Sequence, residues 1–268
     1  MDDVRTHFGK YGWRPQKPDR RDRRYSAKYS TLRALPPAID LRESMPPIFD
    51  QGALGSCTGN GFATQVQVAR HVGGAPLGFT PSRLGIYYEE RRREGTIPYD
   101  AGAEPRDGIK AIVENGVWPE DRPGAPENWP YDIDRFRDKP AAPCYTFGQD
   151  AQTLVYSVVE QNECQMKGVL ATGLPVGIGF SVYESFESDE VVRTGIVPMP
   201  GSGERVLGGH WVVVVGYDDL GSLGPARHWI VRNSWGGVWG KQGYCFMPYE
   251  YLLDSDLSSD FWVVESVE

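Results

Sequence analysis

Three short stretches of the sequence combine residue types that could carry out nucleophilic chemistry. Cys57 follows a glycine-containing loop and Ser56, a residue type that often caps a helix. At a helix N-terminus the macrodipole and the open N–H groups lower the pKa of a thiol, so Cys57 is a candidate nucleophile. His210 opens the apolar run HWVVVVGYD, and Asn233 opens NSWGGVWG. An imidazole can serve as the base for such a thiol, and a side-chain amide can orient the imidazole.

Each stretch taken alone also fits a structural role: a small buried thiol, a hydrogen-bonded core histidine, and a turn rich in glycine and tryptophan. Their conjunction, with Gln51 six residues before Cys57, resembles the papain family of cysteine peptidases. The sequence has QGALGSCT, GHWVVVVGY and NSWGGVWGKQGY where that family has similar motifs around its nucleophile, histidine and asparagine. The resemblance implies that Cys57 is the nucleophile, His210 its acid/base partner and Asn233 the residue that orients the imidazole.

The resemblance also implies the reaction and its surroundings. Gln51 and the backbone N–H of Cys57 would form an oxyanion hole, and peptide bonds would be hydrolysed through a thioester acyl-enzyme. Trp235 would cover the contact between the histidine and the asparagine. Residues near the cleft would bind the substrate, with a preference for bulky hydrophobic side chains. The expected substrate-binding residues are Gly102, Ala103, Gly179, Gly209, Trp211 and Trp235.

Two residues depart from the family pattern. Leu54 stands where a disulfide-forming cysteine is usual, and Thr58 stands where a tryptophan is usual. Because Leu54 replaces that cysteine, the sequence resembles a bacterial-type branch of the family, which lacks the extracellular disulfide framework. The disulfide status of Cys144, Cys164 and Cys245 stays open. The sequence contains no CxxC and no HExxH or HxxxH spacing, so we expect neither a metal site nor a cofactor.

The secondary structure that must position these residues is predicted to be helical in the first half of the chain and rich in β-strands in the second half. Helical patterns predict helices from about Ser56 to Arg70, from a Thr80-Pro81 start to Gly95, from Pro105 to Asn115-Gly116, and near 151–167. Short β-rich runs follow at 175–180, 195–199, 210–218, 228–235 and 243–248. This order predicts an α+β fold. With the resemblance, it implies a papain-like architecture of two lobes, a helical lobe (35–145) and a β-rich, barrel-like lobe (146–268), with the cleft between them.

Residues 1–34 form a separate basic arm. They contain ten basic and four acidic side chains, whereas the remaining residues carry a net charge of −14. Such an arm could bind nucleic acid or anionic lipid, but attraction to its own acidic body needs no outside partner, and we favour that interpretation. The arm is short and broken by prolines. We hypothesise that it acts as a zymogen-like segment, limiting access to Cys57 until it is displaced or clipped near Leu35.

Composition narrows the remaining choices. The chain has 268 residues, with 40% hydrophobic and 12% aromatic residues, which excludes a wholly disordered protein. No apolar run is long enough for a membrane span or a secretory signal, so we expect a protein that is cytoplasmic or exported without a Sec-type signal. We expect a monomer with a peptide or protein substrate, and allow for a protein inhibitor; nucleic acid and membranes are not expected partners. Two alternatives remain: a cysteine acyltransferase of the transglutaminase type, and a catalytically silent papain-fold binding protein.

Overall fold

The structure is a computed structural model that describes residues 11–149 and 154–267. The first ten residues of the predicted arm lie outside the described residues. The helices are α1 (Tyr29–Leu32), α2 (Cys57–Val72), α3 (Arg83–Glu94), α4 (Pro105–Asn115), α5 (Ala142–Gln149), α6 (Glu163–Leu170), α7 (Asp189–Thr194) and α8 (Tyr249–Leu253). Short 3-10 turns lie at Arg42–Ser44, Ile133–Arg135 and Glu184–Glu187. No described helix has both the length and the apolar character to span a bilayer.

The strands form one antiparallel sheet. They are β1 (Ala38–Asp40), β2 (Leu154–Val158), β3 (Val176–Tyr183), β4 (Val206–Asp218), β5 (His228–Arg232), β6 (Tyr244–Pro248) and β7 (Ser258–Val267). Their order is β2-β7-β3-β4-β5-β6, with β1 paired to β4. The α+β prediction is confirmed. The barrel-like description is wrong for the described residues, because the sheet is open, with β2 and β6 at its ends.

Glycine residues in the sequence predicted where α3 and α4 end. Gly95 follows α3 and Gly116 follows α4, both at positive φ, which glycine adopts without steric cost. The predicted Thr80-Pro81 start of α3 is wrong by two residues. The Ser82 hydroxyl accepts a hydrogen bond from the Gly85 N–H and caps the helix, which begins at Arg83.

Two predictions in the second half of the chain fail for identifiable reasons. The helix predicted over 151–167 is wrong, because Leu154–Val158 are a strand and the helix begins only at Glu163. Val155, Tyr156 and Val158 favour extended backbone, and β7 supplies a partner strand from far along the chain. The strand predicted at 195–199 is reduced to one bridge between Ile196 and Phe246. Pro198 and Pro200 lack the N–H that a ladder requires.

The core fixes where α2 begins relative to the sheet. α2 packs against β4 and β7 on one side and against α3 and α4 on the other. Gly61 of α2 and Gly177 of β3 leave room for the Trp211 indole, which packs on Phe62 with ring centroids 5.4 Å apart. A Cβ at either glycine would overlap that indole. The N-terminus of α2 is therefore held beside β4. The division into lobes at residues 145 and 146 stays a prediction.

Candidate active site

Cys57 is the first residue of α2. Ser56 occupies the cap position, but its side chain makes no capping hydrogen bond. Its hydroxyl instead lies 2.5 Å from the Tyr131 hydroxyl. Ser56 therefore precedes the helix as predicted, but its side chain does not form the capping hydrogen bond. The thiol is completely buried, and this burial raises the pKa of Cys57 to about 12.

His210 lies on β4, and its imidazole is hydrogen-bonded to Asn233. The His210 Nε2 is 2.8 Å from the Asn233 Oδ1, which also accepts the Ser234 N–H at 2.8 Å. Because that oxygen acts as an acceptor, the proton of a neutral imidazole lies on Nε2 and Nδ1 keeps its lone pair. Burial lowers the pKa of His210 to about 4, although the bond to Asn233 opposes this shift.

Trp235 stacks on the His210 imidazole. The two rings are stacked with centroids 4.7 Å apart and planes inclined by 29°. Trp239 and Phe186 pack against the indole from the other sides. This aromatic cover keeps water away from the hydrogen bond between His210 and Asn233, which makes that bond stronger than an exposed one.

Gln51 is held by hydrogen bonds to Ser234, the residue after Asn233, and to Leu54. Its Oε1 accepts a hydrogen bond from the Ser234 hydroxyl at 2.6 Å, and its Nε2 donates to the Leu54 carbonyl at 2.8 Å. The backbone N–H of Gln51 donates to the Ser234 carbonyl at 2.8 Å. Ser234 thus ties Gln51 to the residue that follows Asn233. Sequence reasoning missed Ser234, although it stands within the NSW motif.

No hydrogen bond joins the thiol and the imidazole in the described structure. The backbone of Trp211, the residue after His210, favours the thiolate and so partly offsets the effect of burial on the Cys57 pKa. The His210 Nδ1 has no hydrogen-bond partner within the described ranges. The Gly12 backbone has the same effect on the thiol pKa as the Trp211 backbone. Gly12 of the arm lies against the loop that precedes Cys57, because a Cβ on Gly12 would overlap the Gly55 carbonyl oxygen.

The arm crosses this site as an extended segment. The Gly12 carbonyl accepts from the Ala103 N–H at 2.8 Å, and the Arg14 N–H donates to the Ala103 carbonyl at 3.1 Å. On the opposite side, the Trp13 N–H donates to the Gly209 carbonyl at 3.0 Å. Ala103 and Gly209 are two of the residues expected to bind substrate. In this structure their backbone groups bind the arm.

The Trp13 indole fills the space above Gly179 and Gly209. A Cβ on Gly179 would overlap the indole, and a Cβ on Gly209 would lie 2.5 Å from the Trp13 carbonyl oxygen. A Cβ on Gly102, at positive φ, would overlap the Gly12 carbonyl. The absence of side chains at these positions therefore makes room for the arm. Trp211, which was also expected to bind substrate, has its indole in the core against Phe62.

Charged residues hold the arm at its flank. Arg14 forms an ion pair with Glu94, and Arg23 lies 3.6 Å from Glu265. In the most buried of these ion pairs the charges are reversed, with the acid on the arm and the base on the body: Asp22 of the arm pairs with Arg106 of the body at 2.6 Å. Attraction between the basic arm and the acidic body accounts for only part of this attachment.

The described residues offer no metal centre, since nowhere among them do three His, Cys, Asp or Glu side chains converge to hold an ion. All four cysteines are free in the structure, and only Cys164 is exposed.

Comparison with known proteins identifies the family. Residues 101–256, more than half of the chain, match the model of the papain family of cysteine proteases. The chain is a papain-family cysteine protease. An uncharacterized peptidase C1-like protein of Acanthamoeba polyphaga mimivirus is 37% identical over 289 residues, covering 99% of this chain and 89% of the viral protein.

Solved structures confirm the papain-like fold. Xylellain, a cysteine protease from Xylella fastidiosa, superposes with a TM-score of 0.84 at 40% identity over 96% of both chains. The proCathepsin B S9 of Trypanosoma congolense has a TM-score of 0.67 at 20% identity, covering 92% of this chain and 83% of that chain, which shows the shared fold. As a papain-family protease the chain is a hydrolase. The family match includes His210 and Asn233 and begins after Cys57 and Gln51.

Proposed function

We propose that this papain-family protease cleaves peptide bonds with Cys57 as nucleophile, His210 as acid and base, and Asn233 as the residue that orients the imidazole. The observation that carries the proposal is the hydrogen bond between His210 and Asn233, beside a cysteine at the start of a helix. This bond leaves the Nδ1 lone pair available as a base. The helix N-terminus favours the thiolate once the site is open to solvent.

The reaction has two acyl transfers. The Cys57 sulfur attacks the scissile carbonyl carbon and its proton passes to His210, which then protonates the departing amine. The resulting thioester is hydrolysed by a water whose proton His210 accepts, and the thiol is restored. The Gln51 amide and the Cys57 N–H would stabilise the negative oxygen of each tetrahedral intermediate. One such donor is worth about 2.7–4 kcal/mol of barrier.

The same proposal assigns the arm an autoinhibitory role. Gly12 lies against the Gly55 carbonyl, two residues before Cys57, and its own carbonyl accepts a hydrogen bond from the Ala103 N–H. Hydrogen bonds to Ala103 and Gly209 thus hold the arm against the loop that precedes the nucleophile. The arm also buries the site, so that desolvation favours the neutral thiol and neutral imidazole over the charged pair. In this bound state the arm acts as an inhibitor and not as a substrate.

One substitution in the full chain separates the two parts of the proposal. A Cβ on Gly12 would overlap the carbonyl oxygen of Gly55, so Gly12→Ala should displace the arm while leaving every body residue unchanged. Arg20→Ala is the matched control, since Arg20 is an exposed residue of the same arm. Cys57→Ala serves as the negative control. Each protein is treated at pH 6 with an epoxide-type thiol inhibitor and with fluorogenic peptides, and labelling is located by mass spectrometry.

We expect Gly12→Ala to be labelled at Cys57 about tenfold faster or more, because each 1.4 kcal/mol of lost docking energy raises the open fraction tenfold. Arg20→Ala should behave as the unchanged chain, and Cys57→Ala should be inactive. If folded Gly12→Ala neither reacts at Cys57 nor cleaves peptides, the proposed catalytic residues are wrong. If the full chain already reacts as fast as Gly12→Ala, the arm is not inhibitory.

A further inference from the structure

Two side chains from other parts of the chain hold the peptide groups on either side of Gln51. The Arg83 Nη1 donates to the Asp50 carbonyl at 3.1 Å. The Tyr131 hydroxyl donates to the Gln51 carbonyl at 2.9 Å. Arg83 is the first residue of α3, and Tyr131 lies in the segment between α4 and α5. The orientations of these two peptide groups set φ and ψ of Gln51, and therefore the direction in which its side chain leaves the backbone.

The same two side chains reach the start of α2 through hydrogen bonds. The Tyr131 hydroxyl has a single proton, which it gives to the Gln51 carbonyl, so the Ser56 hydroxyl 2.5 Å away donates to Tyr131. The Asn60 Nδ2 donates to the Ser56 hydroxyl at 3.2 Å. The Asn60 Oδ1 accepts a hydrogen bond from the Arg83 Nη1 at 3.0 Å. These hydrogen bonds form a closed ring from the loop around Gln51 to α2 and back.

The ring connects the two donors that we propose for the oxyanion hole. The Cys57 N–H and the Ser56 carbonyl belong to one peptide group, and the Asn60 Nδ2 donates to this carbonyl at 2.9 Å. The Gln51 side chain leaves the backbone between the other two peptide groups of the ring. Donors in an oxyanion hole lower the barrier only if they are aimed at the oxygen before charge develops on it. The ring is therefore placed to fix the Gln51 amide relative to the Cys57 N–H.

Arg83 is suited to this task because its guanidinium is itself fixed. Its Nε and Nη2 donate to the two carboxylate oxygens of Glu120 at 3.0 and 2.6 Å, which leaves Nη1 for Asp50 and Asn60. The side chains of Arg83 and Glu120 are only 10% and 11% exposed. The guanidinium carbon lies 4.0 Å from the centroid of the Tyr131 ring, so these two side chains also support each other. A lysine has one ammonium group on a flexible chain and could not hold all of these partners at once.

We propose that Arg83 and Tyr131 are positioning residues for catalysis, because the ring through which they act fixes the Gln51 amide. The inference rests on the proposed peptidase function and on the role of Gln51 in the oxyanion hole. Ser234 holds the amide end of Gln51, whereas Arg83 and Tyr131 hold its backbone. Loss of either side chain should therefore weaken stabilisation of the tetrahedral intermediates and leave substrate binding and thiolate formation unchanged.

The test uses the full chain with Gly12→Ala, alone and combined with Tyr131→Phe. Phenylalanine keeps the ring beside the Arg83 guanidinium and removes only the hydroxyl. Tyr217→Phe is the matched control, since the Tyr217 hydroxyl also donates to a backbone carbonyl, that of Pro36 at 2.6 Å. We expect Tyr131→Phe to lower kcat for a fluorogenic peptide about tenfold with little change in KM, because the loss falls on the transition state. Tyr217→Phe should change both constants less than about twofold.

Arg83→Lys, in the same background, tests the other half of the ring. Lysine keeps the positive charge beside Glu120 but cannot also bond Asp50 and Asn60, so kcat should again fall about tenfold or more. An unchanged kcat in either folded variant, Arg83→Lys or Tyr131→Phe, would overturn the inference.

Two readouts separate positioning from a general loss of structure. Alkylation of Cys57 by iodoacetamide displaces iodide at a saturated carbon and forms no oxyanion, so its rate should stay within about twofold in Tyr131→Phe. A peptide aldehyde accepts the Cys57 sulfur at its carbonyl carbon, and the resulting oxygen lies where the oxyanion forms. Its inhibition constant should rise about tenfold in Tyr131→Phe. Equal losses in alkylation and hydrolysis would indicate a disturbed α2 and overturn the inference.

Removal of Gln51 decides whether Tyr131 acts through it. In Gln51→Ala, the further change Tyr131→Phe should lower kcat less than about twofold, because the group that it positions is gone. A loss of about tenfold that persists there would overturn the inference while leaving the peptidase intact. If Gln51→Ala alone leaves kcat unchanged, the proposed oxyanion hole is wrong and the inference fails with it. Failure of the peptidase itself is recognised separately, by the absence of both Cys57 labelling and hydrolysis in Gly12→Ala.

Discussion

Thr58 and Glu90 form a hydrogen bond inside the protein, directly behind the start of α2. The Thr58 hydroxyl donates to the Glu90 Oε2 at 2.7 Å, and both residues are buried. Thr58 is the residue that departs from the tryptophan usual in the papain family. At this position, where the family usually has a tryptophan, the smaller Thr58 side chain is hydrogen-bonded to the Glu90 carboxyl group of α3. Burial raises the pKa of Glu90 to about 8, which keeps this carboxyl neutral at moderate pH.

Glu90 gives a prediction about stability and pH. Its pKa in the folded chain is about 8, whereas an unfolded glutamate titrates near 4.3. The unfolded chain therefore releases a proton that the folded chain keeps, and the free energy of unfolding falls as pH rises from about 5 to 8. Glu90→Gln cannot titrate, so it should gain about 2–4 kcal/mol relative to the unchanged chain between these two pH values. Denaturant unfolding at pH 5 and pH 8 measures this difference.

The control for Glu90 is Glu43→Gln, at an exposed position. It should follow the same pH profile as the unchanged chain. If Glu90→Gln also follows that profile, the carboxyl is ionised in the folded protein and the explanation is wrong.

The docked arm should make Cys57 unreactive over a wide range of pH. Burial raises the pKa of the thiol to about 12 and lowers that of His210 to about 4, so neither group is charged between those values. Alkylation requires the thiolate, and the full chain should therefore react slowly from pH 5 to 9. In Gly12→Ala, labelling at pH 6 should be fast and should decrease only in acid, where the Cys57 thiolate takes up a proton while His210 stays protonated. Iodoacetamide labelling rates across this range test the prediction, and a full chain that reacts rapidly at pH 6 would refute it.

The ion pair between Asp22 and Arg106 should contribute to docking of the arm. Their nitrogen and oxygen atoms are 2.6 Å apart, and the side chains are only 16% and 12% exposed. Asp22→Asn removes the charge from a largely desolvated pair, at a cost of about 1–3 kcal/mol, so Cys57 labelling should become roughly five to a hundred times faster. The matched control is Asp19→Asn, since Asp19 pairs with Arg21 within the arm itself at an exposed site. Equal labelling rates in the two variants would exclude a special role for Asp22.

Ser234 should act as a positioning residue for Gln51. Its hydroxyl donates to the Gln51 amide oxygen at 2.6 Å and so fixes the orientation of the amide whose nitrogen we propose as an oxyanion-hole donor. In the Gly12→Ala background, Ser234→Ala should lower kcat about tenfold with little change in KM, because the loss falls on the transition state. Ser202→Ala, in an exposed turn, is the control. A rise in KM without a fall in kcat would point instead to a role in substrate binding.

The sequence predicted those features whose signals are local. Gly95 and Gly116 mark helix ends by their own conformational freedom, and the glycines of the motifs mark places where another chain segment approaches closely. The position of Cys57 at the start of α2 followed from the loop before it. These features need only a few neighbouring residues to be recognised.

Features that depend on distant segments were not predictable in this way. β2 exists because β7 pairs with it, and these strands lie about a hundred residues apart in the sequence. The pocket around Trp13 combines the arm, β3 and β7, so nothing in the sequence near Asp260 indicates that its carboxylate accepts the indole N–H. The neutral state of Cys57 and His210 arises from burial beneath the arm, a property of the assembled fold.

The arm that occupies the cleft is part of the same polypeptide as the cleft, and this covalent connection determines how the enzyme responds to its surroundings. A tethered segment experiences an effective local concentration on the order of millimolar, whatever the concentration of the protein. Dilution therefore cannot release it, and a peptide present at micromolar concentration competes poorly unless its affinity is much higher. Opening is a first-order event within one molecule. Its rate and extent should be the same in a crowded cell and in a dilute test tube.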